Sequence, residues 1–251
     1  MIRLKAKDWE IDNIETILWD KDGTFIDLHY FWGKMTELRA KEVIKRFNMP
    51  ESCFSKLCLY LGYNIETGKM LKDGITALYS RSKIIEIFKD NLKECNVTAT
   101  EKQLEEIFDY ISSVFYKNMQ EYTKPIEPAI TFIKKVKDFG VKQGIVTSDA
   151  KESTMLTLKH FCWDYLFDVV IGRESSNHTK ESGIPTKMAL ELINANPKTT
   201  IMIGDAPMDY ISAKNAGIEK TILVASGQID EQELKETSEY TIESLENIEI
   251  S

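Results

Sequence analysis

Thr16-Ile17-Leu18-Trp19-Asp20-Lys21-Asp22-Gly23-Thr24 is a short, mainly apolar run that closes on two carboxylates and a glycine. A continuous apolar run ended by a glycine turn suits a strand buried on both faces of a parallel sheet. Two carboxylates one residue apart at such a strand end can project into one cleft, and Gly23 permits a tight turn with close backbone approach. A carboxylate placed there can attack phosphorus and form an acyl phosphate. The same letters also spell an ordinary surface Asp-Gly turn, so the segment needs support from the rest of the chain.

Downstream the pattern changes. From about His29 to Tyr122 the spacing is helical: Phe31, Met35, Leu38, Val43, Ile44 and Phe47 recur at steps of three and four, with Lys34, Glu37, Lys41 and Lys45 largely opposite. Pro50 is expected to end that helix. Further stripes run through Ser82–Leu92 and Glu101–Met119, Gly62 to Gly74 reads as loop, and no strand is expected in this stretch. Near Pro125, strands begin to alternate with helices. Gly144–Val146, Asp168–Ile171, Thr200–Ile203 and Thr221–Val224 read as strands, and the helices between them start at Pro128 and Pro185 or end at Gly140 and Gly217. Such alternation means βαβ units and a parallel sheet. The expectation is an α/β core, residues 1–26 and 123–251, interrupted after its first strand by a helical domain, residues 27–122. Ligands of such sheets bind at the carboxyl ends of the strands.

The bulk of the sequence sets limits. Hydrophobic residues make up 43% and charged residues 29% of 251, the balance of an ordinary globular protein. The net charge of -8, without a clustered basic segment, argues against a nucleic-acid backbone as main partner. Cys53, Cys58, Cys95 and Cys162 form no Cys-x-x-Cys pair, and the three histidines complete no zinc pattern, so reduced core thiols are expected. Met1 to Glu15 lacks an apolar signal core, and no run approaches the ~20 apolar residues needed to span a bilayer. A cytoplasmic location with no membrane partner is expected. Oligomeric state is not readable.

Three further features fall after expected core strands. Thr147-Ser148-Asp149 offers hydroxyls and backbone amides for phosphate oxygens, and equally an ordinary helix cap. In Gly204-Asp205-Ala206-Pro207-Met208-Asp209 the two aspartates stand four apart, so an opening helical turn can give them one face. Carboxylates near Asp20 suit Mg²⁺, although acidic residues also favour any helix N-terminus. Lys180 or Lys187 can neutralise charge on a transferring phosphoryl group.

Together these motifs resemble those of the haloacid dehalogenase-like hydrolases. Asp20 to Thr24 match the Asp-x-Asp-Gly-Thr motif, Thr147 matches the hydroxyl that closes a second strand, and Gly204, Asp205 and Asp209 match Gly-Asp-x-x-x-Asp, followed by Ala213, Ala216 and Gly217. The resemblance covers nearly the whole core and is closest to the phosphoglycolate phosphatase and β-phosphoglucomutase-like branch, whose third motif reads Lys-Pro-x-Pro. This chain departs from it there: spacing from Gly172 favours Lys180, and spacing to the following helix favours Lys187.

The resemblance implies a Rossmann-like core with an α-helical cap that closes over the site. It implies that Asp20 is nucleophile and Mg²⁺ ligand, and that Asp22 is the general acid and base whose carbonyl also touches the metal. Asp205 and Asp209 would hold the metal. Gly23, Thr24, Thr147 and Ser148 would bind the phosphoryl group of a small phosphorylated metabolite. The activity implied is a phosphatase working through an aspartyl phosphate; a phosphomutase, or a non-catalytic module binding a phospho-ligand, are the alternatives. Lys34 keeps open a phosphonate-cleaving Schiff-base chemistry. In the insert, Tyr30, Phe31 and Trp32 face either the cleft or the helical core, and Arg39 and Arg81 either anchor a second anionic group or, as expected of a surface arginine, stand at solvated positions.

Overall fold

The computed structural model describes residues 1–251, apart from the side chains of Ala77 and Leu78. The chain opens with β1 (Ile2–Lys5), β2 (Glu10–Ile14) and β3 (Thr16–Trp19). It continues through α1 (Leu28–Arg46), α2 (Phe54–Tyr60), β4 (Tyr63–Asn64), β5 (Lys69–Met70), α3 (Ile75–Leu78), α4 (Arg81–Leu92), α5 (Glu101–Lys117) and α6 (Met119–Tyr122). Then come α7 (Glu127–Asp138), β6 (Lys142–Val146), α8 (Lys151–His160), β7 (Val169–Ile171), α9 (Ile184–Leu192), β8 (Thr200–Gly204) and α10 (Pro207–Asn215). β9 (Lys220–Val224), α11 (Glu231–Lys235), β10 (Thr241–Ile242) and β11 (Glu249–Ile250) complete it. Two compact units result: Met1–Asp27 with Pro125–Ser251, and Leu28–Lys124.

The first unit is an α/β fold around a parallel sheet of order β10-β9-β8-β3-β6-β7. β3 lies at its middle, with Trp19 opposite Ile145 on one side and Ile203 on the other. A strand with neighbours on both edges and cover on both faces has no polar side, and Ile17, Leu18 and Trp19 are fully buried. On the neighbouring β6, buried Gln143 is satisfied: its Oε1 accepts from Trp19 Nε1 (3.0 Å), and its Nε2 donates to the carbonyls of Ile133 and Leu166.

Several expectations need correction. Two strands precede the apolar run at Thr16, where no strand was assigned: β1 pairs antiparallel with β2 and with β11 in a small second sheet. α1 stops at Arg46, before Pro50, and Asn48 takes a left-handed conformation (φ 50°) beyond its end. The stretch between Gly62 and Gly74 carries the short pair β4–β5. Cys58 is buried, Cys53 and Cys95 are half-buried, and Cys162 is exposed.

The second unit packs α1 against α5. Phe31 is buried there, with its ring 4.9 Å from that of Phe115, so it belongs to the helical core. Thr100 starts α5 with a capping box closed by Gln103. Arg39 is buried, against expectation, with its guanidinium 4.2 Å from the centre of the Phe108 ring. Among the described residues no helix is long and apolar enough to cross a membrane.

Candidate active site

Asp20 continues the line of β3, its N–H donating to the Ile203 carbonyl (2.8 Å). The chain then wraps tightly. The Lys21 carbonyl accepts from the N–H groups of Thr24, Phe25 and Ile26, and the Gly23 N–H donates to the Ile26 carbonyl at 2.8 Å. Gly23 is needed for two reasons. Its φ is +93°, and a Cβ on it would lie 2.3 Å from Asp205 Oδ2. Thr24, fully buried, directs its hydroxyl towards Asp205 Oδ1 over a long 3.5 Å.

Lys180, not Lys187, meets these carboxylates. It sits in a turn between β7 and α9, 6% exposed, and its Nζ lies 2.5 Å from Asp20 Oδ1 and 2.6 Å from Asp209 Oδ1. The turn ends at Gly183 in a left-handed conformation, packed against Asn215 of α10, whose Nδ2 donates to the Glu181 carbonyl (2.7 Å). α9 begins only after that reversal and carries Lys187 exposed.

Asp205 and Asp209 do not share a helical face. Asp205 directly follows β8, Ala206 is extended, and Pro207 is the first helical residue of α10. Asp209 Oδ2 instead accepts from the N–H groups of Asp205 and Ala206, both at 3.1 Å. One carboxyl thereby caps the helix start and, with its other oxygen, fixes Lys180. Carboxylate oxygens of Asp20, Asp205 and Asp209 all lie within 4.8 Å of one another.

Thr147 follows β6, buried, and its Oγ1 accepts from the Asp149 N–H (3.1 Å). Ser148 is exposed, its Oγ 3.6 Å from Met208 Sδ. Asp22 forms a close ion pair with Lys21, whose Nζ also lies 3.2 Å from Asp149 Oδ2.

Four participants were missed in the sequence reading: Lys21, Asp149 as its counter-ion, Ser226 and Gly227. Ser226 Oγ donates to the Gly23 carbonyl (2.6 Å), and a Cβ on Gly227 would fall 1.8 Å from Asp205 Oδ2. Both follow β9, so the rule that ligands gather at strand ends already pointed there.

Burial pushes the Asp20 carboxyl up to about 7, against the opposing pull of Lys180. Burial, then Asp20 and Asp209, push Asp205 well above the usual carboxylate range, and burial also raises Asp22. Burial alone would lower the two lysines, but Asp20 and Asp209 outweigh it at Lys180, as Asp22 and Asp149 do at Lys21. Five carboxylates thus face two ammonium groups in one poorly hydrated region. Hard oxygen donors in excess of positive charge fit a divalent cation such as Mg²⁺.

The family model described as haloacid dehalogenase-like hydrolase matches residues 67–224, more than half of the chain. Among curated relatives, pyrophosphatase PpaX of Bacillus mycoides is 29% identical over 147 residues, 59% of this chain and 68% of its own length. A relative from Caldanaerobacter subterraneus, named a putative pyrophosphatase PpaX, is 33% identical over 129 residues, 51% of this chain, so the chain spans only 59% of that protein. Among solved structures, a predicted phosphoglycolate phosphatase from Haemophilus somnus superposes with a TM-score of 0.71 at 16% identity, covering 94% of this chain and 97% of that one. A subfamily IA hydrolase of the haloacid dehalogenase superfamily from Geobacter sulfurreducens gives 0.63 at 18% identity, covering 93% and 94%. At these identities the likeness is one of fold.

Proposed function

The chain belongs to the haloacid dehalogenase-like hydrolase family, and from that premise we propose that it is a Mg²⁺-dependent phosphatase of a small phosphorylated compound. The observation that carries the reading is the bridge from Lys180 to both Asp20 and Asp209, beside Asp205. Under this reading Asp20 is the nucleophile, Lys180 its counter-charge and the neighbouring carboxylates the oxygen donors, all at the strand ends.

Asp20 attacks phosphorus while the ester P–O bond breaks. The electron pair of that bond leaves with the ester oxygen, which takes the proton of the Asp22 carboxyl. Asp22 is then ionised and removes a proton from water, whose oxygen attacks the phosphorus of the aspartyl phosphate. The bond to Asp20 breaks, its electron pair returns to the carboxylate, and inorganic phosphate departs. Lys180 offsets the repulsion between an anionic carboxylate and an anionic phosphate. Asp20, Asp205 and the Asp22 carbonyl, supported by Asp209, would hold Mg²⁺, which draws charge from the phosphoryl oxygens when bound. Thr147 and Ser148, with the amides around Gly23 and Thr24, would take the phosphoryl oxygens. Lys34 is a poor Schiff-base amine: its hydrogen bond to Glu37, with Nζ to Oε2 at 3.1 Å, raises its pKa where that chemistry needs a neutral amine.

The test is phosphate release from p-nitrophenyl phosphate, pyrophosphate and a panel of sugar, nucleotide and small-acid phosphates, with Mg²⁺ or with EDTA. Pyrophosphate belongs in the panel because relatives carry the pyrophosphatase name. Release that requires Mg²⁺ and falls about 10⁴-fold or more in Asp20→Asn is expected. No release from any compound by folded, Mg²⁺-loaded protein would sink the proposal.

A further inference from the structure

Lys21 stands between the two aspartates of the first motif and has no part in the steps above. Its side chain is fully buried, and an apolar residue would fill the same space without the cost of desolvating an ammonium. The ammonium is held at both ends. On one side it contacts Asp22 Oδ1. On the other it lies 3.2 Å from Asp149 Oδ2. Asp149 is itself fixed at the start of α8, accepting from the Ala150 N–H (2.7 Å) and from Ser153 Oγ (2.8 Å). The backbone of Lys21 is equally constrained, because its carbonyl accepts the three N–H groups of Thr24, Phe25 and Ile26. A rigid path therefore runs from α8 through Asp149 and Lys21 to the Asp22 carboxyl. The two buried lysines divide the site: Lys180 serves Asp20 and Asp209, and Lys21 serves Asp22 and Asp149.

We propose that Lys21, anchored by Asp149, is a positioning residue that holds the Asp22 carboxyl where it can pass its proton to the leaving oxygen. The inference rests on the phosphatase reading and adds to it a residue that acts through Asp22, without touching phosphorus.

Leaving groups separate this role from a merely structural one. Nitrophenolate departs without a proton, whereas an alkoxide needs one as the P–O bond breaks. The constant kcat/KM covers only the steps up to formation of the aspartyl phosphate, so it reports Asp22 as acid and omits its later work as base. It is measured for p-nitrophenyl phosphate and for an alkyl phosphate that the wild-type chain turns over. In Lys21→Met the alkyl value is expected to fall about 100-fold, and the alkyl-to-aryl ratio at least about tenfold. Lys21→Met/Asp149→Asn, which leaves no second buried charge exposed by the change, is expected to shift the ratio alike and serves if the single variant folds poorly. In an Asp22→Asn background, Lys21→Met should leave the ratio where Asp22→Asn put it, since both changes remove one function. A ratio within about twofold of wild type in a folded, active Lys21 variant overturns the inference alone. Inactivity of the wild-type chain on both substrates overturns the phosphatase reading and the inference with it.

Discussion

The two units treat a buried positive charge in opposite ways. In the α/β unit each buried lysine lies between two carboxylates, Lys21 between Asp22 and Asp149 and Lys180 between Asp20 and Asp209. In the helical unit Arg39 is as deeply buried, yet among the described residues no ion pair joins it and its Nε lacks a hydrogen-bond partner. It rests on the Phe108 ring, and burial followed by the nearby Arg81 lowers its pKa to about 9. Thr36, one turn earlier on the same face of α1, also leaves its hydroxyl unpartnered. Burial alone therefore does not set the two kinds of cation apart. What marks the lysines is that each is tied to a carboxylate at a strand end.

The same substitution should therefore have opposite signs in the two units. Lys180→Met strands Asp20 and Asp209 as buried, unpaired carboxylates. Phosphate release should fall by about 10³-fold, and chemical unfolding should show a loss of about 3–5 kcal/mol. A Lys180→Met protein as stable as wild type would break the comparison from the core side.

Gly227→Ala sharpens it without touching a charge. The added methyl group collides with Asp205, so activity at limiting Mg²⁺ should drop by about 10–100-fold and recover in part at high Mg²⁺. Equal losses at all Mg²⁺ concentrations would detach Asp205 from metal binding.

Asp20→Asn tests the cost of the crowded carboxylates in metal-free protein. The Asp20 carboxyl titrates near 7 in the fold against 3.8 ordinarily, so between those values the folded state holds a proton that the unfolded chain has lost. The metal-free wild type should lose stability as pH rises from about 4 to about 7, and Asn, which cannot ionise, should not share that loss. Melting temperatures of the two should diverge by a few degrees across that window, with the variant higher above pH 7.

Arg39→Met is the smallest effect and the mirror of the first. Replacing an unpaired buried cation by an apolar side chain should raise stability by about 1 kcal/mol, read as a melting temperature higher by a few degrees. A marked loss instead would mean that Arg39 is compensated and that the two units do not differ.

Much of the fold was legible because the core strands are local signals: Ile17-Leu18-Trp19 and Thr200–Ile203 are apolar runs closed by glycine and aspartate. The carboxylates were legible for the same reason, each following its strand at a fixed short distance. Partnerships across the chain were not. β1 and β11 lie at opposite ends of the sequence, and each is only two to four residues long. Lys21 and Asp149 meet only because β3 and β6 are neighbours. The choice between Lys180 and Lys187 turned on the left-handed Gly183, which sets where the turn stops and α9 starts. Arg39 was misread because an arginine at that helical step carries no sign of what its face packs against.

The middle position of β3 has a consequence for how the protein is made. On the ribosome, the strand that carries Asp20 emerges before either of its hydrogen-bonded neighbours exists, since β6 begins at Lys142 and β8 at Thr200. The segment 28–124 is contiguous and mostly helical, and its contacts can form while it is being synthesised. Ile17, Leu18 and Trp19 meanwhile have no sheet to join. Asp20, the proposed nucleophile, is thus translated before the residues that surround it, and the proposed site closes only once β8 and Asp205 have cleared the exit tunnel. A nascent chain arrested before that point carries Asp20 and Asp22 but no Asp205 or Asp209, so the proposed site cannot assemble before β8 and the start of α10 have been made.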